Sequence, residues 1–320
     1  MRLSASLMAA AIVCCAYPSS ILAQPAPDMV TLSTGSELAT WSISPEKQTH
    51  VTPVVFLHGG PGLYTEARRF DEGAIFRAAG YRTLYFDQAG GGQSKRLKAS
   101  EYSLSRAVAD LEALRIKLGQ EKLILWGNSY GASFAAIYAS RFPERVAGMI
   151  LTSPGTFPGT NPKRTYNLTN RGSMKIGKDL TAALSKVDRK GAAAEPEVSQ
   201  VESGKLLDEL MATELIEAMV CKGANITPPP LGRGGNLFAN RILLKQVEHS
   251  KFEATALNVP TLILRGACDF MPADNAERYR KLFGGQVITI AGNGHGLLEN
   301  RLSVENSIRV FLSGPLASAP

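Results

Sequence analysis

The feature that most constrains this chain is Gly127-Asn128-Ser129-Tyr130-Gly131, set between the apolar run Lys122 to Trp126 (KLILW) and a stretch of small and aromatic residues reaching Ser140. A serine on a sharp strand-to-helix turn is held in a strained backbone, and small flanking residues let its hydroxyl stand clear above a sheet. GxSxG arises by chance in about one chain of this length in ten. The strand before it and the helix after it therefore carry the reading, not the pentapeptide alone.

The same alternation runs through the surrounding sequence. Met29 to Leu32 and Leu38 to Ile43 read as a hairpin pair, and Pro53 to Leu57 (PVVFL) as a buried parallel strand ending at His58-Gly59-Gly60-Pro61-Gly62. Arg69 to Ala79 reads as a helix stopped by Gly80. Tyr81 to Phe86 reads as the next strand, closed by Asp87-Gln88-Ala89-Gly90-Gly91-Gly92-Gln93-Ser94. Leu104, Val108, Leu111, Leu114 and Leu118 share one helical face, and Val146 to Thr152 is a further strand. The rhythm resumes with Pro260 to Arg265, a helix over Ala273 to Phe283, a strand over Gln286 to Ile290 and a helix over Val304 to Leu312. Such alternation predicts an α/β fold: a mostly parallel sheet with helices on both faces.

Between the two stretches the strands disappear. Val201, Leu206, Leu210, Leu215, Ile216 and Val220 make one long amphipathic helix and Leu237 to Val247 another, with Pro228-Pro229-Pro230 between them. The expected organisation is a core over 24–153 and 257–320, with a helical cap over 154–256 inserted between sheet strands. Caps of this kind control access to a site.

A chain of 320 residues, 44% hydrophobic and 20% charged, buries a large core and excludes disorder, collagen-like repeats and coiled coil. At the start, Arg2, the apolar run Leu7 to Ala16 and the small residue of Ser20-Ile21-Leu22-Ala23 form a secretory signal peptide over 1–23, with export to the periplasm or medium expected. Lipid attachment at Cys14 is the weaker alternative, because Ala11-Ile12-Val13 is bulky where such a site needs small residues. No later run approaches the ~18 apolar residues of a membrane span, so no stable membrane insertion is expected.

Processing would remove Cys14 and Cys15 and leave Cys221 and Cys268. In an oxidising compartment the two form a disulfide; the competing account is two buried free thiols. There is no CxxC pairing of the kind a structural zinc site uses, and no metal constellation. The glycines at 90 to 92 do not open a helix in GxGxxG form, so no nucleotide cofactor is expected. The net charge of +7 is spread without a dense basic run, which points away from nucleic acid as a partner. A small molecule or short peptide is the expected substrate, and the sequence is silent on oligomeric state.

A serine nucleophile needs a base and an acid. Of the four histidines, His50 precedes a strand, His58 lies in the glycine loop and His249 in the polar cap. His295, in Ala291-Gly292-Asn293-Gly294-His295-Gly296 directly after a strand, has little to pack against and suits proton transfer. Asp269 follows the strand PTLILR through Gly266-Ala267-Cys268, where a carboxylate can orient an imidazole. Asp274 is the runner-up, at a helix start where capping is the ordinary explanation. The order Ser129, Asp269, His295 is that of an α/β-hydrolase. The glycine loop should present the Gly60 N–H, and the residue after the nucleophile the Tyr130 N–H, as an oxyanion hole.

HGGPG at 58–62, DQAGGGQS at 87–94 and GNSYG at 127–131, with Asp269 and His295 behind a helical insertion, resemble the prolyl aminopeptidase (proline iminopeptidase) branch of the α/β-hydrolase superfamily. The resemblance spans nearly the whole mature chain. It implies a serine peptidase that releases N-terminal residues, often proline, with acidic cap groups binding the free amine. Two positions depart from the family pattern: Ala89 replaces the arginine of DQRGxGxS, and Tyr130 stands where tryptophan is common. Proline preference is therefore not carried over. Glu209, Glu214 and Glu217 lie on the polar side of the long cap helix, where a solvated surface is the ordinary reading.

Two rival readings remain. One keeps the machinery and changes the acyl donor to an ester or lactone; the other is a non-catalytic ligand-binding protein on the same scaffold. Haloalkane and epoxide hydrolase chemistry is disfavoured, because those related sites use aspartate where Ser129 stands.

Overall fold

The computed structural model describes residues 24–160, 197–212, 214–226, 234–251 and 257–317. The expected leader over 1–23 lies outside the described residues, as do Pro228-Pro229-Pro230 and part of the expected cap. Among the described residues, no helix is long and apolar enough to cross a membrane.

Eight strands form one sheet: β1 (Asp28–Thr31), β2 (Glu37–Ile43), β3 (His50–Leu57), β4 (Tyr81–Phe86), β5 (Leu123–Asn128), β6 (Val146–Thr152), β7 (Thr261–Gly266) and β8 (Gln286–Ile290), in the order β1-β2-β4-β3-β5-β6-β7-β8. β1 and β2 are antiparallel hairpin partners, and β2 is antiparallel to β4. From β4 through β8 every pairing is parallel.

The continuous apolar runs seen in the sequence are strands covered on both faces. In β5, Leu123 and Leu125 pack into a core with α3 (Leu104–Lys117), α4 (Tyr130–Arg141) and α8 (Ala273–Phe283). Ile124 and Trp126 face the opposite core, with α1 (Arg68–Glu72), α2 (Ala74–Ala78) and α9 (Arg301–Ser313). Period-two alternation sends neighbouring side chains to opposite faces, so a strand between two helical layers reads as unbroken hydrophobicity. α3 begins where the Ser103 hydroxyl accepts the Arg106 N–H at 3.1 Å.

The expected single helix over Arg69 to Ala79 is two short helices that meet at Gly73. A side chain at Gly73 would collide with the Tyr85 hydroxyl, 1.8 Å from an added Cβ. The long amphipathic helix is likewise two successive ones, α5 (Glu197–Ala212) and α6 (Glu214–Met219), followed by α7 (Leu237–Glu248).

The sheet order places β3 at the turning point of the winding, with β4 on one side and β5 on the other. In such sheets the crevice beyond the carboxyl ends of the strands is where ligands bind. The HGGPG loop leaves β3 and the Ser129 turn leaves β5, so both open onto that crevice.

Segments of the insertion dock on these same loops. The Asn236 N–H donates to Gly62 O at 2.7 Å, Asn240 Nδ2 to Pro61 O at 2.7 Å, and the Gly92 N–H to Gly234 O at 2.8 Å. Asn236 Nδ2 donates to Gly90 O at 2.9 Å while its Oδ1 caps α7 by accepting the Ala239 N–H at 3.0 Å.

Candidate active site

Ser129 is the junction of β5 and α4, with φ 53° and ψ −120°. That left-handed backbone is uncommon for a residue with a side chain. Its neighbours make the turn possible: a Cβ on Gly131 would lie 1.9 Å from Leu57 O, and one on Gly127 would lie 2.6 Å from Gly131 O. Main-chain bonds fix the turn, from Ser129 N–H to Thr152 O at 3.0 Å and from Gly155 N–H to Ser129 O at 2.9 Å.

The structure brings the three predicted side chains together from three separate strand ends. Ser129 Oγ lies 2.9 Å from His295 Nε2, and His295 Nδ1 lies 2.7 Å from Asp269 Oδ1. Asp269 is 1% exposed and His295 3%. Asp274, the alternative acid, instead lies in the first turn of α8 and pairs with Arg278 at 3.5 Å. Because a carboxylate only accepts, His295 carries its proton on Nδ1 and leaves Nε2 to accept from the serine hydroxyl.

Gly60 has φ +119°, a backbone suited to glycine. Among the described residues, neither the Gly60 nor the Tyr130 N–H donates to a main-chain acceptor. The Tyr130 ring is buried and stacked near Phe134, with centroids 6.3 Å apart. Burial pushes its phenol well above the ordinary range.

The other conspicuous histidine has a different task. His58 Nε2 accepts the Gln88 N–H at 2.9 Å, Nδ1 faces Gly59 O at 2.9 Å, and Gln88 Nε2 donates to His58 O at 3.1 Å. With one ring nitrogen accepting and the other donating, the imidazole is neutral; burial lowers its pKa to about 4. It ties the glycine loop to the start of DQAGGGQS. In that second loop Asp87 accepts the Thr65 N–H at 2.7 Å and the Gln93 N–H at 2.8 Å, while burial raises its pKa to about 6. Ala89 packs against the core.

A family model described as alpha/beta hydrolase fold matches residues 52–176. A solved esterase from Exiguobacterium antarcticum superposes with TM-score 0.64 at 18% identity, covering 90% of this chain and 100% of that one. The chain has the α/β-hydrolase fold. The curated relatives are shorter matches: a probable proline iminopeptidase of Streptomyces coelicolor is 37% identical over 115 residues, 33% of this chain and 34% of that protein. The proline iminopeptidase of Neisseria meningitidis is 38% identical over 102 residues, 31% of each. The chain thus spans about a third of the length of the curated relatives it matches.

Several residues around this site carry no sequence signature. Phe270 covers the His295 ring, with centroids 4.4 Å apart. Glu299 gathers the histidine loop by accepting the Gly294 N–H at 3.1 Å and the Cys221 N–H at 2.7 Å. Cys221 and Cys268 form a disulfide, S–S 2.10 Å, which ties the residue before Asp269 to the end of α6. Gly296 N–H adds a bond to Met219 O at 2.7 Å. Of the cap acids, Glu209 and Glu217 are exposed and the Glu214 side chain lies outside the described residues. The buried carboxylate of α5 is Asp208, which accepts the Gly234 and Gly235 N–H groups at 3.0 and 3.1 Å and the Tyr64 hydroxyl. Burial raises its pKa. A carboxylate that gathers loop N–H groups from residues 26 and 27 positions later has no periodicity to betray it.

Proposed function

We propose that this chain is an exported serine hydrolase working through an acyl-enzyme, and that it is an aminopeptidase of the proline iminopeptidase type, releasing N-terminal residues from peptides. One observation carries the chemistry: Ser129 Oγ, His295 and Asp269 in a hydrogen-bonded line at 2.9 and 2.7 Å. Ser129 attacks the scissile carbonyl as His295 Nε2 takes its proton. Asp269 stabilises the imidazolium, and the Gly60 and Tyr130 N–H groups stabilise the oxyanion. His295 then protonates the departing amine. Water, activated by the same imidazole, cleaves the acyl-enzyme and restores the serine.

The substrate class rests on the motif pattern and on the iminopeptidase relatives, each matched over about a third of its length. The leader expected over 1–23 from the sequence and the Cys221–Cys268 disulfide support export, because such bonds persist in oxidising compartments.

The deciding experiment assays purified mature protein on Pro- and Ala-arylamides, their N-blocked counterparts and p-nitrophenyl esters, with fluorophosphonate labelling of Ser129 alongside. Cleavage of free but not blocked amides is expected. Equal cleavage of both removes the exopeptidase assignment, and turnover of esters alone makes the protein an esterase. An unlabelled Ser129 removes the serine mechanism.

A further inference from the structure

A buried arginine reaches the nucleophile turn from the far side of the sheet edge. Arg69, on α1, is 7% exposed. Its Nη1 pairs with Glu72 at 2.6 Å, its Nη2 donates to Asn128 Oδ1 at 2.8 Å, and its guanidinium carbon lies 5.2 Å from the Phe56 ring centre. Asn128 immediately precedes Ser129. With its oxygen held by the arginine, the Asn128 amide is oriented so that Nδ2 donates to Thr152 O and Thr152 Oγ1, both at 3.2 Å. Thr152 O is also the acceptor for the Ser129 N–H.

We propose that Arg69 is a positioning residue for Ser129, acting through Asn128. The inference rests on the serine-hydrolase reading. A side-chain-bearing residue at positive φ persists only where its surroundings over-determine it. Here the overdetermination is a chain of contacts from Glu72 through Arg69 and Asn128 to Thr152, ending on the main chain of the nucleophile. The same amide borders the oxyanion loop: a Cβ on Gly59 would stand 3.1 Å from Ser129 Cβ and 3.6 Å from Asn128 Oδ1. Displacing Asn128 therefore moves the hydroxyl against His295 and disturbs the loop that carries Gly60.

Burying a guanidinium is costly, and apolar side chains of similar volume often stabilise a fold as well or better. The arginine's planar fork does what an apolar side chain cannot, because it holds two acceptors at fixed angles. Arg68 beside it pairs with Glu66 and shares Glu72 with Arg69. Against the penalty of burial, the two arginines hold the Glu66 and Glu72 carboxylates below the ordinary range.

The test is a double-mutant cycle on the full mature chain, reading the rate of Ser129 labelling by a fluorophosphonate, with the urea unfolding midpoint measured on each variant. Arg69→Met and Asn128→Ala should each slow the labelling step by about 10- to 100-fold without weakening reversible binding of the probe. The double variant should be no slower than Asn128→Ala alone. Arg69→Lys, which keeps a cation but gathers its donors on a single nitrogen in place of the planar fork, should fall between wild type and Arg69→Met; with Asn128→Ala it completes the cycle if Arg69→Met does not fold. Wild-type labelling rates in a folded Arg69 variant, or full additivity in the double variant, would overturn the proposal. If the wild type itself does not label, the serine mechanism fails and takes this inference with it; normal labelling in wild type and variants alike defeats the inference alone.

Discussion

Asp269 Oδ1 accepts from His295 Nδ1 at 2.7 Å and from the Met271 N–H at 2.9 Å, so the main chain that follows the acid fixes the oxygen that orients the imidazole. A neutral amide at this position turns an acceptor into a potential donor and favours the wrong histidine tautomer. Asp269→Asn should lower turnover by about 10⁴ with little change in fold. Steady-state kinetics and circular dichroism on the same sample check this, and a loss under tenfold would show that the imidazole is oriented by something else.

Removing the Ser129 hydroxyl takes away the nucleophile but makes almost no cavity. Ser129→Ala should reduce turnover by about 10⁴ or more on every substrate the wild type accepts, with an unchanged unfolding midpoint. Persistent full turnover would mean that the reacting atom lies elsewhere.

The histidine of the glycine loop should register in acid. Burial holds the His58 pKa at about 4 against an ordinary 6.5. Between those values the unfolded chain binds the proton and the folded chain does not, so this contribution is complete above pH 6.5 and is lost as pH falls to 4. Asp87 acts in the opposite sense, because its pKa is raised from 3.8 to about 6 and the folded state takes up its proton first on acidification. His58→Gln removes only the first contribution. The wild type's stability advantage over this variant should shrink by about 3 kcal/mol between pH 7 and pH 4, as read from urea unfolding across that range; parallel pH profiles would rule out a buried neutral imidazole.

The Cys221–Cys268 bond joins residues 47 apart. Replacing both with serine should cost about 2 to 5 kcal/mol of stability. Thermal unfolding with and without dithiothreitol distinguishes the causes: reductant should lower the wild-type midpoint and leave the variant's unchanged.

The strands and the order of the site residues were legible because each rests on a local signal. PVVFL and the LILW of KLILW are continuous apolar runs, as strands covered on both faces must be, and lie inside the observed β3 and β5. Ser129 and His295 stood out because glycines flank them in loops after strands. The glycine requirement at Gly73, where the two short helices meet, was hidden, because it comes from the Tyr85 hydroxyl on a neighbouring strand. Arg69 was hidden for a similar reason: in sequence it is one of two adjacent arginines on a short helix, and only the third dimension brings it to Asn128, 59 positions away. Asp208 carries no signal in the sequence, because the loop N–H groups that bond it come from a turn with no pattern of its own.

The bridge between Cys221 and Cys268 also closes a covalent ring around everything between them, α7 and β7 included. A protease that nicked the backbone inside that ring would yield two pieces still fastened to each other, with Ser129 on one and both Asp269 and His295 on the other. A single cut there need not scatter the three side chains.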